Sequence, residues 1–224
     1  MSPDELINSA LRNQARRAAQ LERLNASRKP QARAAIDAGR ANSERIHRTR
    51  EHFSVAQQNR HVPGFFPTPP AVIEIMLQHV CFPEQARVLE PSAGRGDLVT
   101  AAQQAGAAQV DCFEINANLR EYLQANGFNL VGNDFMQAQP RPIYDVVLMN
   151  PPFEHRQDVA HVRRAFEWLA PSGQLVAVVS NPSGDRLREF AEAHRGYVMD
   201  LPRGSFLASH HATGVNTALV VINR

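Results

Sequence analysis

The sequence predicts an α/β protein: a doubly wound sheet of seven strands, helices on both faces, and a helical arm in front. Three observations point there. From Arg87 onward, short apolar runs alternate with amphipathic stretches, the pattern of strands and their covering helices. A glycine turn, Gly94-Arg95-Gly96, follows the first of those runs. The run Tyr144–Met149 ends in Asn150-Pro151-Pro152-Phe153, a polar and aromatic group at a strand's C-terminal end, where open α/β sheets bind ligands.

The arm covers residues 1–60. Leu6, Ile7, Leu11, Ala15, Ala18, Leu21 and Leu24 recur at helical steps over 4–28, and Pro30 interrupts. A second helical stretch, roughly 31–58, has few large apolar residues and cannot form a core alone. It must cover the next domain, pair with another chain as a homodimer or with a partner protein, or bind something anionic. Residues 1–60 hold twelve basic and six acidic side chains, whereas the whole chain holds 24 and 22. All basic residues but Lys29 are arginine. A planar guanidinium suits phosphate, although a genome biased toward arginine codons gives the same excess.

Residues 61–224 form the second domain. The segment 61–70 has four prolines and a glycine, so it is irregular. Its Phe65 and Phe66 need something flat or apolar to cover. Thr68 reads as an N-cap, with Pro69 and Pro70 in the first turn of a helix over 71–79. Strands are predicted at 87–90, 109–114, 128–131, 143–149, 174–180, 197–201 and 218–222. Helices are predicted at 97–104, 116–125, 157–170 and 184–194. Asn126-Gly127 supplies a helix C-cap. The acidic start, Met1–Glu5, is unlike a secretory signal, and no apolar run approaches ~20 residues, so no membrane helix is expected. Cys81 and Cys112 lie in apolar contexts and read as buried, reduced thiols, consistent with a cytoplasmic protein. Metal binding is not expected: His210 and His211 have no further ligand at suitable spacing.

The strand ends carry the chemistry. Only Gly94 and Gly96 match a dinucleotide fingerprint, because Val99 stands where its third glycine would be. Glu90 ends the first strand, and an acid there disfavours a pyrophosphate and favours a ligand with cationic groups. S-adenosylmethionine, with its ammonium and sulfonium, meets that demand. Glu114 ends the second strand and can accept from both ribose hydroxyls of an adenosyl group. Asp134 can accept from its adenine amino group, and Phe135 or Ile115 can sandwich the ring. Two consecutive prolines cannot continue a sheet ladder. The residue before a proline is held extended, so the Asn150 side chain is aimed.

These stretches resemble the class I S-adenosylmethionine-dependent methyltransferases that modify the exocyclic nitrogen of adenine in DNA. The carrying residues are Phe66-Pro67-Thr68-Pro69, Leu89-Glu90-Pro91-Ser92-Ala93-Gly94-Arg95-Gly96-Asp97, Phe113-Glu114-Ile115, Asn133-Asp134-Phe135 and Asn150-Pro151-Pro152-Phe153. Their order is similar to the gamma arrangement of those enzymes, and Thr213–Thr217 resembles bacterial, plasmid and phage members. The resemblance implies a Rossmann-like seven-stranded fold and an adenine-specific DNA methyltransferase acting in restriction–modification or anti-restriction. Phe66, Thr68, Pro69, Glu90, Pro91, Ala93, Gly94, Gly96, Glu114, Ile115, Asp134 and Phe135 would face the cosubstrate, and Asn150 to Phe153 the target base. RNA adenine, a protein glutamine amide, and an inactive module that binds S-adenosylmethionine or nucleic acid are the alternatives.

The residue types suit that reaction. The lone pair of an exocyclic amine is delocalised into its ring. The Asn150 side-chain oxygen and the Pro151 carbonyl can accept its two N–H groups and free the lone pair for attack, with no strong base. Phe153 offers a stacking face worth about 1–3 kcal/mol, and a base in a duplex must first be flipped out. Arg203, His210 and His211 could touch the target strand. Only 224 − 150 = 74 residues follow Asn150, which leaves no room for a separate recognition domain. A short or relaxed target, recognition by the arm and the 202–216 loop, or recognition lent by another protein are the expectations.

Overall fold

The computed structural model describes residues 67–206 and 216–224. The predicted arm, Phe66, His210, His211 and Thr213–Val215 lie outside the described residues. The described elements are α1 (Pro70–Gln78), β1 (Arg87–Glu90), α2 (Asp97–Gln104), β2 (Gln109–Phe113), α3 (Ala117–Ala125) and β3 (Asn129–Gly132). They continue with β4 (Tyr144–Met149), a short 3₁₀ turn (Glu154–Arg156), α4 (Gln157–Phe166), β5 (Leu169–Ser180), α5 (Asn181–Ala193), β6 (Tyr197–Asp200) and β7 (Thr217–Asn223).

One sheet takes all seven strands, in the order β3-β2-β1-β4-β5-β7-β6. β1 to β5 are parallel; β7 runs antiparallel between β5 and β6. The winding reverses between β1 and β4, so their C-terminal ends flank the crevice where such sheets bind ligands. Glu90 ends β1, and Asn150 follows β4 directly.

Strand alternation builds two cores. Val146 and Leu148 face one side with Val72 and Met76 of α1, Leu98 and Val99 of α2, and Leu123 of α3. Val147 and Met149 face the other with Val162 of α4 and Leu187 of α5. Burying a Leu or Val side chain contributes about 1.5–3 kcal/mol, so helices on both faces are needed to cover strands apolar on both sides.

The structure differs from the sequence expectation at several places. Thr68 does not cap α1: Pro69 holds that position without a side-chain bond, and the Thr68 hydroxyl is used by Asn150. β5 begins at Leu169, not Gln174, because Leu169 pairs with Tyr144 and Gln174 with Val146. Pro171-Ser172-Gly173 bulges out between those pairs, with Ser172 at φ 67, and α4 ends at Phe166. Cys81 is exposed, since it sits in the connection between α1 and β1, where its backbone N–H donates to Gln174 Oε1. β7 is inserted antiparallel between β5 and β6, an order the strand pattern alone does not predict. Cys112 is buried as expected. Burial first, then the carboxylates of Glu90, Asp111 and Glu114, push its thiol up to about 12, so it stays protonated and inert. No helix among the described residues is long and apolar enough to cross a membrane.

Candidate active site

Asn150 leaves β4 half-buried, followed by a buried Pro151. Its Nδ2 donates to Thr68 Oγ1 at 3.0 Å, across 82 residues of sequence. That bond fixes the amide's orientation, with nitrogen toward Thr68 and Oδ1 on the opposite side of the group. Pro69, which caps α1, is buried beside it in sequence. Phe153 packs edge-to-face on the fully buried Phe206, ring centroids 6.0 Å apart. The chain then passes through His155 and Arg156, both at positive φ, before α4 starts.

The glycine turn is closed by backbone bonds. Ala93 N–H donates to Phe113 O at 2.9 Å, and Gly96 N–H to Ala93 O at 2.7 Å. Pro91, Ala93 and Gly94 are buried. Gly94 and Gly96 have φ of 56° and 80°, in the region that favours glycine. Gly96 has a second reason. A Cβ there would lie 2.9 Å from the Phe128 ring and 3.2 Å from Leu123. Gly96→Ala is therefore expected to lower the unfolding free energy by about 1–3 kcal/mol. Urea titration checks it, and an unchanged midpoint would refute it.

Glu114, just past β2, is buried. Its Oε2 accepts Gly94 N–H and its Oε1 accepts Asn116 N–H, both at 2.7 Å. The carboxylate thus ties the glycine turn to the start of α3. The Ile115 amide is also directed at the carboxylate, which keeps acceptor capacity for an incoming hydroxyl. Burial raises its pKa, and the Asn116 and Gly94 amides and the nearby Arg120 guanidinium oppose the rise. Arg120 is placed there by its bonds to the Glu114 and Ile115 carbonyls.

Glu90 is 2% exposed. Its Oε1 accepts Ser92 N–H at 2.8 Å, and among the described residues no cation forms an ion pair with it. Burial pushes its carboxyl up to about 8; the Ser92 amide opposes this, and the negative charges of Glu114 and Asp97 add to it. Burial amid other acids keeps this carboxyl protonated, and a cationic ligand beside it favours its ionised form.

The adenine-side residues separate. Asp134 Oδ1 accepts Met136 N–H at 2.9 Å and Gln137 N–H at 3.3 Å, and its Oδ2 accepts from Gln137 Nε2 at 2.7 Å. It therefore also organises its own turn. Phe135 does not form one wall of an open sandwich. It is 3% exposed and packs against Phe113 and Trp168, because the core beneath β2 and β3 needs its ring. Ile115 is 71% exposed and has the free apolar face.

Three residues of this region carried no sequence signal. Arg120 acts through backbone carbonyls. His161 stacks on Phe135, centroids 6.1 Å apart, and its Nδ1 meets Gln157 O at 2.8 Å. Burial lowers its pKa, opposed by the Gln157 carbonyl and then by Asp158 and Asp134. Asp158 is fully buried among partners 22 and 25 residues away. Among the described residues, no cluster of three His, Cys, Asp or Glu side chains is arranged to hold a metal ion.

A family model described as a methyltransferase domain matches residues 71–207. Type II methyltransferase M.HincII of Haemophilus influenzae is 23% identical over 101 residues, which are 45% of this chain and 19% of that protein. The chain thus spans under a fifth of the curated relatives it matches. A dimethyladenosine transferase from Plasmodium falciparum has a similar fold, with TM-score 0.54 and 15% identity over 71% of this chain and 64% of that one. So does M. jannaschii TYW2 in complex with AdoMet, with TM-score 0.50 and 18% identity over 75% and 78%. The family match takes in the glycine turn, both strand-end acids and Asn150–Phe153 together, and by it the chain belongs to the methyltransferase-domain family.

Proposed function

We propose that this chain methylates the exocyclic N6 amine of adenine in DNA, over a short or relaxed target sequence. S-adenosylmethionine is the methyl donor; it supplies an electrophilic methyl group. The observation that carries the reading is Asn150, held by Thr68 at the C-terminal end of β4 with its amide oxygen turned away from that bond.

The side chains fit the donor. Glu90, a buried acid with no cationic partner among the described residues, answers positive charge. Gly94 and Glu114 form one hydrogen-bonded unit with lone pairs left for ribose hydroxyls. Asp134 and Ile115 are assigned to the adenine edge and face. Asn150 Oδ1 and the Pro151 carbonyl accept the two N–H groups of the target amine. That grip favours a tetrahedral nitrogen whose lone pair points out of the ring. Phe153, steadied by Phe206, offers the base a stacking face. Positioning and fixed dipoles supply the acceleration, and no strong base is required. The basic composition of residues 1–60 favours a nucleic-acid partner.

The test is to offer methyl-labelled S-adenosylmethionine with duplex DNA, single-stranded DNA, RNA or a cell extract. Label is expected in duplex DNA, and nucleoside digestion should recover it as N6-methyldeoxyadenosine. Label confined to RNA or to protein would overturn the substrate, and binding without transfer to anything would overturn the activity.

A further inference from the structure

Asp158 is fully buried, two residues into α4. Its Oδ2 accepts the Ser180 backbone N–H and hydroxyl, each at 2.9 Å. Its Oδ1 accepts the Ser183 hydroxyl at 2.6 Å and Val159 N–H at 3.0 Å. Each oxygen therefore meets one backbone N–H, which cannot reverse its polarity as a hydroxyl can. Among the described residues no cation pairs with it. A buried carboxylate without a counter-charge is costly, and it stays only where directional bonds hold it.

Those bonds join three segments at one sheet end. Ser180 is the last residue of β5 and lies three positions beyond Ala177, the partner of Met149. Ser183 lies in the first turn of α5. Asp158 itself ends the nine-residue passage that begins at Asn150. That passage holds two non-glycine residues in the left-handed region, His155 at φ 53 and Arg156 at φ 60. Such backbone persists only when its surroundings over-determine it. At the near end stand the Asn150–Thr68 bond and buried Pro151; the far end has no side-chain helix cap on α4.

We propose that Asp158 is a positioning residue for methyl transfer: through Ser180 and Ser183 it fixes, against β5 and α5, the far end of the passage that carries Asn150–Phe153. The assignment rests on the methyltransferase reading. Asp158 touches no substrate and acts through the backbone it holds.

Asp158→Asn tests it, because either amide orientation puts an NH₂ group against a backbone N–H. Ser183→Ala is the milder second variant. Asp158→Asn is expected to lower kcat by about 10- to 100-fold, with S-adenosylmethionine affinity within about threefold of wild type. Ser183→Ala should shift kcat the same way by less. Amide hydrogen exchange at Phe153–Gln157 should quicken by about tenfold or more in Asp158→Asn, a reading that does not require turnover. Unchanged kcat in both variants would overturn the proposal, as would losses that merely follow the folded fraction or cofactor affinity. If Asp158→Asn does not fold, Ser183→Ala decides alone. If wild type transfers no label, the methyltransferase reading fails, and exchange judges Asp158: no quickening at 153–157 rejects it.

Discussion

Asn150→Ala is expected to lower kcat by about 100- to 1,000-fold, with the protein folded and its affinity for S-adenosylmethionine changed by less than about threefold. The size follows from what is removed. The amide oxygen is the acceptor assigned to the target N–H, and its grip strengthens as the nitrogen turns tetrahedral. Losing an interaction made mainly in the transition state appears in kcat rather than KM. Asn150→Asp separates the acceptor from the tether. It keeps an acceptor oxygen, and the Thr68 hydroxyl, which accepts from Asn150 Nδ2 in this structure, can rotate to donate instead. An intermediate loss is expected. Single-turnover methyl transfer at saturating cosubstrate checks both variants. Full activity in Asn150→Ala would refute the assigned role of the amide.

Glu90 carries the second large expectation. Its carboxyl has a pKa of about 8 in the folded protein against an ordinary value of 4.5, chiefly through burial. The folded state therefore holds a proton that the unfolded state releases, and stability must fall as pH rises from about 4.5 to about 8. Below that window both states are protonated and the burial carries no charge penalty; above it the penalty is complete, on the order of a few kcal/mol. Glu90→Gln, which is neutral throughout, should be more resistant to urea than wild type at pH 8.5, with the gap shrinking toward pH 5. S-adenosylmethionine should act in the opposite sense, because its positive charge favours the ionised carboxylate. It should raise the wild-type urea midpoint more at pH 8.5 than at pH 6, and this added gain should be absent in Glu90→Gln. A gap between variant and wild type that does not change with pH would show that Glu90 is not the titrating group.

Much of the seven-stranded fold is legible in the sequence. α2 runs over Asp97–Gln104 as its pattern predicts, and β1 over Arg87–Glu90. The reason is local: apolar runs bounded by turn residues leave the backbone few choices. Asn126-Gly127 ends α3 with Gly127 at φ 75, another choice made within a few residues. Failures came where partners are distant. Thr68 looks like a cap because it precedes a helix, yet its hydroxyl serves a residue 82 positions away. Phe135 looks like a stacking face because it follows Asp134, yet the core beside Phe113 and Trp168 claims it. Pro171-Ser172-Gly173 reads as an end to regular structure, but β4 supplies pairing on both sides of it and the strand resumes.

Sequence alone determined which groups stand at the strand ends. A stiff amide before two prolines, a glycine turn and acids at successive strand ends are spelled out in short contiguous stretches, since backbone stiffness and strand termination are decided by neighbouring residues. Tertiary structure alone decided how those groups are held. It turned the Asn150 amide by way of Thr68, joined Glu114 to Gly94, took Glu90 out of water and closed Asp158 around Ser180 and Ser183. Hydrogen-bond direction and desolvation depend on atoms that meet only when the sheet is assembled, and no local pattern along the chain records them.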